Sequence, residues 1–224
     1  MRNQISALEG SRGKRTGAGG VGRWLVLAVT VAAQFMVILD VSVVNVALPA
    51  IQDDLHFSQE GLQWVITAYA ILFGGFLLLG GRLADLLGRR RMFMAGVGLF
   101  TLASLLSGLA SSEAELILTR ALQGLGGALL APAALSIVVT TFREGHDRNV
   151  ALAVWGAISG VGGAVGVLLG GVLTSYLSWS WIFFVNSRSA SASSPSARGS
   201  CRRVGSRWRV ATSTSSVRRR SRPG

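Results

Sequence analysis

Five long, nearly uncharged apolar stretches follow one another along the chain, and nothing else constrains its fold so tightly. They run from about Trp24 to Ala47, Leu62 to Gly81, Met92 to Ala110, Leu116 to Phe142 and Val150 to Tyr176. A bilayer core takes about 20 mostly apolar residues per helix, and each stretch meets that length. A sixth begins at Trp179 (WSWIFFVN) and then stops being apolar. Only 14% of residues are charged, well below the roughly 25% of ordinary soluble domains. The expected fold is an all-α membrane protein: a bundle of five complete transmembrane helices plus the start of a sixth.

The formal charge of +12 suggests nucleic acid until it is divided. Met1 to Asn186 carries 12 Lys and Arg against 10 Asp and Glu, whereas Ser187 to Gly224 carries 10 Arg and no acid. The basicity thus belongs to the tail, and no folded motif there supports a nucleic-acid partner. The organisation expected is a disordered lead over residues 1–22, a helical bundle over 23–186 and a disordered Arg/Ser-rich tail over 187–224. The single cysteine, Cys201, lies in that tail, so neither a disulfide framework nor a thiolate metal site is available. Metals and cofactors are not expected. His56 and His146 fall in separate connections without a nucleophile beside them, which argues against an enzyme.

Short connections sort by charge, because Lys and Arg are retained on the cytoplasmic side. Arg2, Arg12, Lys14, Arg15 and Arg23 precede the first stretch; Arg82, Arg89, Arg90 and Arg91 lie between the second and third; Arg143 and Arg148 lie between the fourth and fifth. The alternate connections, PAIQDDLHFSQEG and SSEAE, contain no Lys or Arg. A multi-pass cell-membrane protein with its N-terminus in the cytoplasm is expected.

Polar residues within the stretches are the candidates for function. Asp40 and Asn45 lie in VILDVSVVNVALPAI. A carboxylate facing lipid costs about 2.5 to 3.5 kcal/mol on insertion scales, so Asp40 should face the bundle interior or a wet cavity. A carboxyl in that setting is a candidate proton carrier; the alternative is a structural aspartate pinning the helix. Pro49 is expected to close the helix. The segment GRLADLLGRRR should form a tight turn through Gly81 and Gly88, with Asp85 among Arg89, Arg90 and Arg91, although the arginines alone could be positive-inside anchors. Arg120 could snorkel to the outer surface, but Gln123 three residues on shares its helix face, which suits a polar lining. In the fifth stretch Gly156, Gly160, Gly162, Gly163, Gly166, Gly170 and Gly171 allow close helix approach in lipid.

ILDVSVVNVALPAI followed by GGRLADLLGRRR resembles the major facilitator superfamily, and within it the fourteen-helix drug:proton antiporters of EmrB/QacA type. That family reads L-D-x-T-V-V-N-V-A-L-P in its first helix and G-x-L-A-D-R-x-G-R-R in its first cytoplasmic hairpin. Ser42 stands where the family has threonine, and Leu86 where it has arginine. LTRALQGLGG is similar to its R-x-x-Q-G motif, and the fifth stretch to G-x-x-x-G-P-x-x-G-G, with Val167 at the proline position.

The resemblance implies an amino-terminal major facilitator bundle and proton-coupled efflux of a small hydrophobic or cationic compound by alternating access. It implies that Asp40, Asn45, Arg120 and Gln123 line the cavity and couple protons. Gly81, Asp85, Gly88, Arg89 and Arg90 would form a cytoplasmic gate, and Gly162, Gly166, Gly170 and Gly171 a sliding interface. The implied partners are the lipid bilayer, protons, that compound and a second transporter half missing from this chain, without which the chain should be inactive. In the family WxWIFFVN continues as V-P-I-G. Here the tail fits a reading frame shifted by one lost base after Asn186, since compatible codons restore VPIG and an apolar continuation. The rival expectation is a non-transporting membrane scaffold that uses its basic tail, possible because such a tail can bind anionic lipid.

Overall fold

A computed structural model describes residues 18–176 and residue 183, and all of these are helical or lie in short connections. Five helices follow one another: α1 (Ala18–Leu55), α2 (Gln59–Leu87), α3 (Arg89–Gly108), α4 (Glu113–Thr141) and α5 (His146–Tyr176). Each is long and apolar enough to cross a membrane, and no strand occurs among the described residues. The expected start of a sixth helix, apart from Phe183, and the expected lead and tail lie outside the described residues, except that α1 already begins at Ala18.

Two connections are fixed by side-chain caps. Ser58 Oγ accepts from the Gly61 N–H at 3.0 Å and opens α2. Ser112 Oγ accepts from the Glu115 N–H, while the Glu115 carboxylate takes the Ser111 N–H at 2.9 Å and its hydroxyl at 3.1 Å. Such exchange satisfies N–H groups that the first helical turn cannot pair internally. At the opposite end of the bundle only Gly88, at φ 98°, separates α2 from α3.

Pro49 does not close α1, which runs on to Leu55 with the proline inside it. A proline there forgoes one backbone hydrogen bond. The continuation places Ile51 fully within the core, beside Val43, Ala47, Phe57 and Val65. Gly81 likewise is no turn residue: α2 continues six residues beyond it, burying Ala84 against Met92, Phe93 and Ala133. The turn falls to Gly88 alone.

α4 is the central helix, packed against α2, α3 and α1, while α5 lies chiefly on α1. Glycine permits both arrangements. A Cβ on Gly126 would sit 2.6 Å from the Phe100 backbone nitrogen, and one on Gly96 2.7 Å from that of Leu130, so α3 and α4 touch backbone to backbone. Gly80 and Gly124 meet opposing backbone on the α2 side as closely. In lipid, where apolar surface is no reason for helices to associate, such approach supplies the dispersion contacts that hold them. Phe183 is buried among Leu39, Val43 and Leu116, and its carbonyl accepts from Ser104 Oγ at 3.2 Å.

Candidate functional site

Asp40 stands midway along α1 and Arg120 two turns into α4, and the close seating of these helices brings them together. Arg120 Nη1 donates to Asp40 Oδ2 at 2.6 Å and to Gln123 Oε1 at 2.8 Å, and Gln123 Nε2 donates to Asp40 Oδ1 at 2.8 Å. The three side chains close a ring of hydrogen bonds. Asp40 and Gln123 are 0% exposed and Arg120 2%, so Arg120 does not snorkel to the outer surface. Both carboxylate oxygens are engaged, one by a charged donor and one by a neutral amide. This arrangement lets a carboxylate persist away from water.

The guanidinium has a second neighbour that sequence reasoning missed. Its central carbon lies 4.5 Å from the centroid of the Tyr69 ring on α2, within the range of a cation–π contact. Tyr69 is itself buried and stacks on Phe73, with ring centroids 5.8 Å apart and planes 8° from parallel. The signal was available: tyrosine favours helix ends at the headgroup level, and Tyr69 lies well inside its stretch. Among the described residues three buried side-chain atoms lack a hydrogen-bond partner, namely Gln34 Oε1, Tyr69 Oη and Arg120 Nε. Two of the three belong to this site.

Asn45 is not brought to the ring. It is exposed, and its amide donates to the Val41 carbonyl of its own helix at 2.7 Å. Of the residues expected at the gate, Asp85 and Arg89 approach across Gly88 at 3.4 Å on an exposed surface, where such a pair contributes about 0 to 1 kcal/mol. Arg90 is exposed, and Gly81 lies in α2 within van der Waals reach of Pro132. At the same end, Arg23 at the start of α1 meets Asp147 at the start of α5 at 3.7 Å.

Three of the four expected glycines of the fifth helix form one contact. Cβ atoms placed on Gly162, Gly166 and Gly170 would lie 3.1 Å from Ile38 Cγ2, 2.5 Å from Ser42 Cβ and 3.0 Å from Val46 Cβ. Spaced four apart, they are a groove into which the α1 face flanking Asp40 fits. No described residue comes within 4 Å of a Cβ placed on Gly171, Gly156 or Gly160, and Val167 is exposed. Among the described residues no group of His, Cys, Asp and Glu could hold a metal ion.

Comparison with known proteins places this geometry. The family model described as Major Facilitator Superfamily matches residues 30–188. The puromycin resistance protein pur8 of Streptomyces alboniger is 56% identical over 164 residues, covering 73% of this chain and 33% of the relative. The cephamycin export protein CmcT of Amycolatopsis lactamdurans is 52% identical over 162 residues, covering 72% of this chain and 33% of the relative. The chain therefore spans about a third of the length of these relatives. Among solved structures, a peptide transporter crystallised with sulfate superposes with a TM-score of 0.67 at 19% identity, over 75% of this chain and 36% of the other; at that identity the likeness is one of fold.

Proposed function

The chain belongs to the Major Facilitator Superfamily, and from that premise we propose that residues 23–186 are the amino-terminal bundle of a proton-coupled exporter of small hydrophobic or cationic molecules in the cell membrane. The observation that carries the reading is the buried ring of Asp40, Arg120 and Gln123 joining α1 to α4. An ionisable pair held inside apolar helices is expensive to place and marks ion or proton pathways in membrane proteins. The resistance and export proteins among the relatives support outward transport of a small molecule.

In this reading Asp40 is the proton carrier. Protonation removes the charge that holds Arg120 Nη1 and Gln123 Nε2, and the ring opens. The two states of the ring then bias the bundle between two arrangements, which is how a ligand with different affinity for two conformers shifts their populations. Each proton moving down the membrane potential supplies about 2.3 kcal/mol per 100 mV. The Gly162, Gly166 and Gly170 groove is the surface along which α1 and α5 shift. Asp85, Arg89 and Arg90 act at the gate, and the arginine-rich connections set that end, with the N-terminus, in the cytoplasm.

Alternating access needs two bundles rocking about a midplane site. Residues 23–186 are one wall of it, so the 224-residue chain by itself exports nothing. Residues 187–224 are, in the same reading, a shifted frame; the break in composition at Asn186 adjoins the end of the family match at residue 188. Reading the DNA across the codons for Asn186 and Ser187 tests that part. The transport reading is tested by dye extrusion from an efflux-deficient cell carrying either this chain or a fusion of residues 23–186 to the remaining portion of the Streptomyces alboniger relative. Extrusion by the fusion alone is expected. Equal extrusion by both refutes the need for a second bundle, and extrusion by neither refutes the exporter reading.

A further inference from the structure

Arg120 has two seats, and they differ in kind. One is the carboxylate of Asp40 at 2.6 Å, whose pull is largely Coulombic and depends on the charge of Asp40. The other is the face of the Tyr69 ring at 4.5 Å, whose attraction for a cation comes from the ring quadrupole and is indifferent to Asp40. The second seat is built into the packing. Gly124 meets the Tyr69 backbone more closely than any Cβ allows, and a Cβ on Gly127 would come 3.0 Å from Phe73 Cδ2 and 3.4 Å from Tyr69 Oη. The bare face of α4 thus draws α2 in until the ring lies against the guanidinium, and Phe73 backs the ring from the next turn. A buried tyrosine placed for its hydroxyl normally gives it a partner; Tyr69 Oη has none among the described residues. The ring face is what this residue contributes.

We propose that Tyr69 is a positioning residue for Arg120, whose ring keeps the guanidinium inside the bundle when Asp40 takes up a proton. The purpose rests on the proton-coupled reading above, whereas the geometry does not. An arginine released by its carboxylate in a membrane helix moves toward the nearest water, and Arg120 begins only seven residues from the start of α4. Among the described residues no other ionic group lies near the middle of a helix to hold it. The remaining charges of α1 are Arg23, Asp53 and Asp54; those of α2 are Glu60, Arg82 and Asp85; those of α3 are Arg89, Arg90 and Arg91; those of α5 are His146, Asp147 and Arg148; and α4 adds Glu113 and Glu115. All lie toward helix ends. With the ring in place, Arg120 remains at the site, ready to recapture Asp40 once the proton leaves. Without it, each protonation would let the cation drift and the ring of hydrogen bonds would have to be rebuilt.

The test is side-chain NMR of the full 224-residue chain in lipid nanodiscs, reading the Nε–H and δ-methylene protons of Arg120. A guanidinium over an aromatic face shows ring-current displacement to high field. We expect that displacement in the wild type and in Y69F, and its retention in D40N, where the carboxylate charge is gone. Loss in D40N overturns the proposal, because it shows that Asp40 and not the ring seats the cation. Y69L removes the source of the displacement, so the ring's part is read in D40N/Y69L by solvent exchange of the Arg120 Nε–H, expected to be faster than in D40N alone; equal exchange in the two overturns the proposal. Should the double variant fail to fold, D40N decides alone. A merely structural tyrosine would change the stability of D40N/Y69L without speeding that exchange. Export is not read here, so an exporter reading that fails with Arg120 still seated in D40N leaves the ring's role standing, and a released Arg120 in an active exporter removes that role alone.

Discussion

Asp40 and Arg120, 80 residues apart in sequence, meet at 2.6 Å with both side chains almost wholly shielded from solvent. Removing two charges from water costs several kcal/mol per ion, and their attraction commonly does no more than offset that cost. The pair is therefore not explained by stability. In the proposed reading one partner changes charge during the working cycle.

That asymmetry predicts a non-additive pair of substitutions. R120M leaves the Asp40 carboxylate buried without its cationic partner and should destabilise the chain by about 3 to 5 kcal/mol, as expected for breaking a buried pair from one side. The double variant D40N/R120M removes both charges and should be more stable than R120M alone. Chemical unfolding in detergent micelles, followed by circular dichroism, measures both; a double variant that is no more stable than the single one counts against the pairing.

The groove on α5 predicts a contrast between neighbouring glycines. In G166A the new methyl falls 2.5 Å from Ser42 Cβ and 3.2 Å from the Leu39 carbonyl oxygen, so α1 and α5 must part. Overpacking of this kind costs roughly 1 to 3 kcal/mol. G171A adds a methyl where none of the described residues lies within 4 Å and should be neutral. Thermal unfolding of the two proteins side by side should separate them, and equal midpoints would show that the helices do not touch there.

Gly88 predicts a conformational penalty with no steric component. Its φ of 98° and ψ of 125° are rarely adopted by residues with a side chain, and a Cβ added there would meet no described atom within 4 Å. G88A should lose about 1 to 3 kcal/mol from backbone strain alone. G98A, inside α3 and equally open, should lose nothing and gain up to about 1 kcal/mol from the better helix propensity of alanine. Matching stabilities for the two would mean that the turn is made elsewhere.

Phe183 predicts that the start of the sixth apolar stretch contributes to the bundle. It is fully buried and its carbonyl is held by Ser104. F183A should cost about 3 to 5 kcal/mol, the usual range for emptying a buried phenylalanine site, and S104A about 1 kcal/mol. Denaturant titration of both variants checks the order; an F183A protein as stable as the wild type would place that side chain outside the core.

The helices were legible because length and apolarity in lipid leave little choice, and Asp40, Arg120 and Gln123 were legible because polar groups in such helices must find one another. Their boundaries were not. Pro49 reads as a stop, yet the burial of Ile51 beyond it outweighs one lost hydrogen bond, and Gly81 reads as a turn although Ala84 carries α2 further into the core. Asn45 illustrates the limit of motif reasoning, since a side chain five residues from Asp40 is rotated away from it and bonds to its own helix. Tyr69 and the glycines at 126 and 127 were missed because their importance arises from which helix lies opposite, and no spacing along one chain reveals that.

The most direct test of the central claim is proton movement through Asp40. Residues 23–186 fused to the remaining portion of the Streptomyces alboniger relative, reconstituted in vesicles with a pH-sensitive dye inside, should move protons when an exported cation is added, and the D40N fusion should bind the cation yet move none. Undiminished proton movement in the D40N fusion would contradict the account.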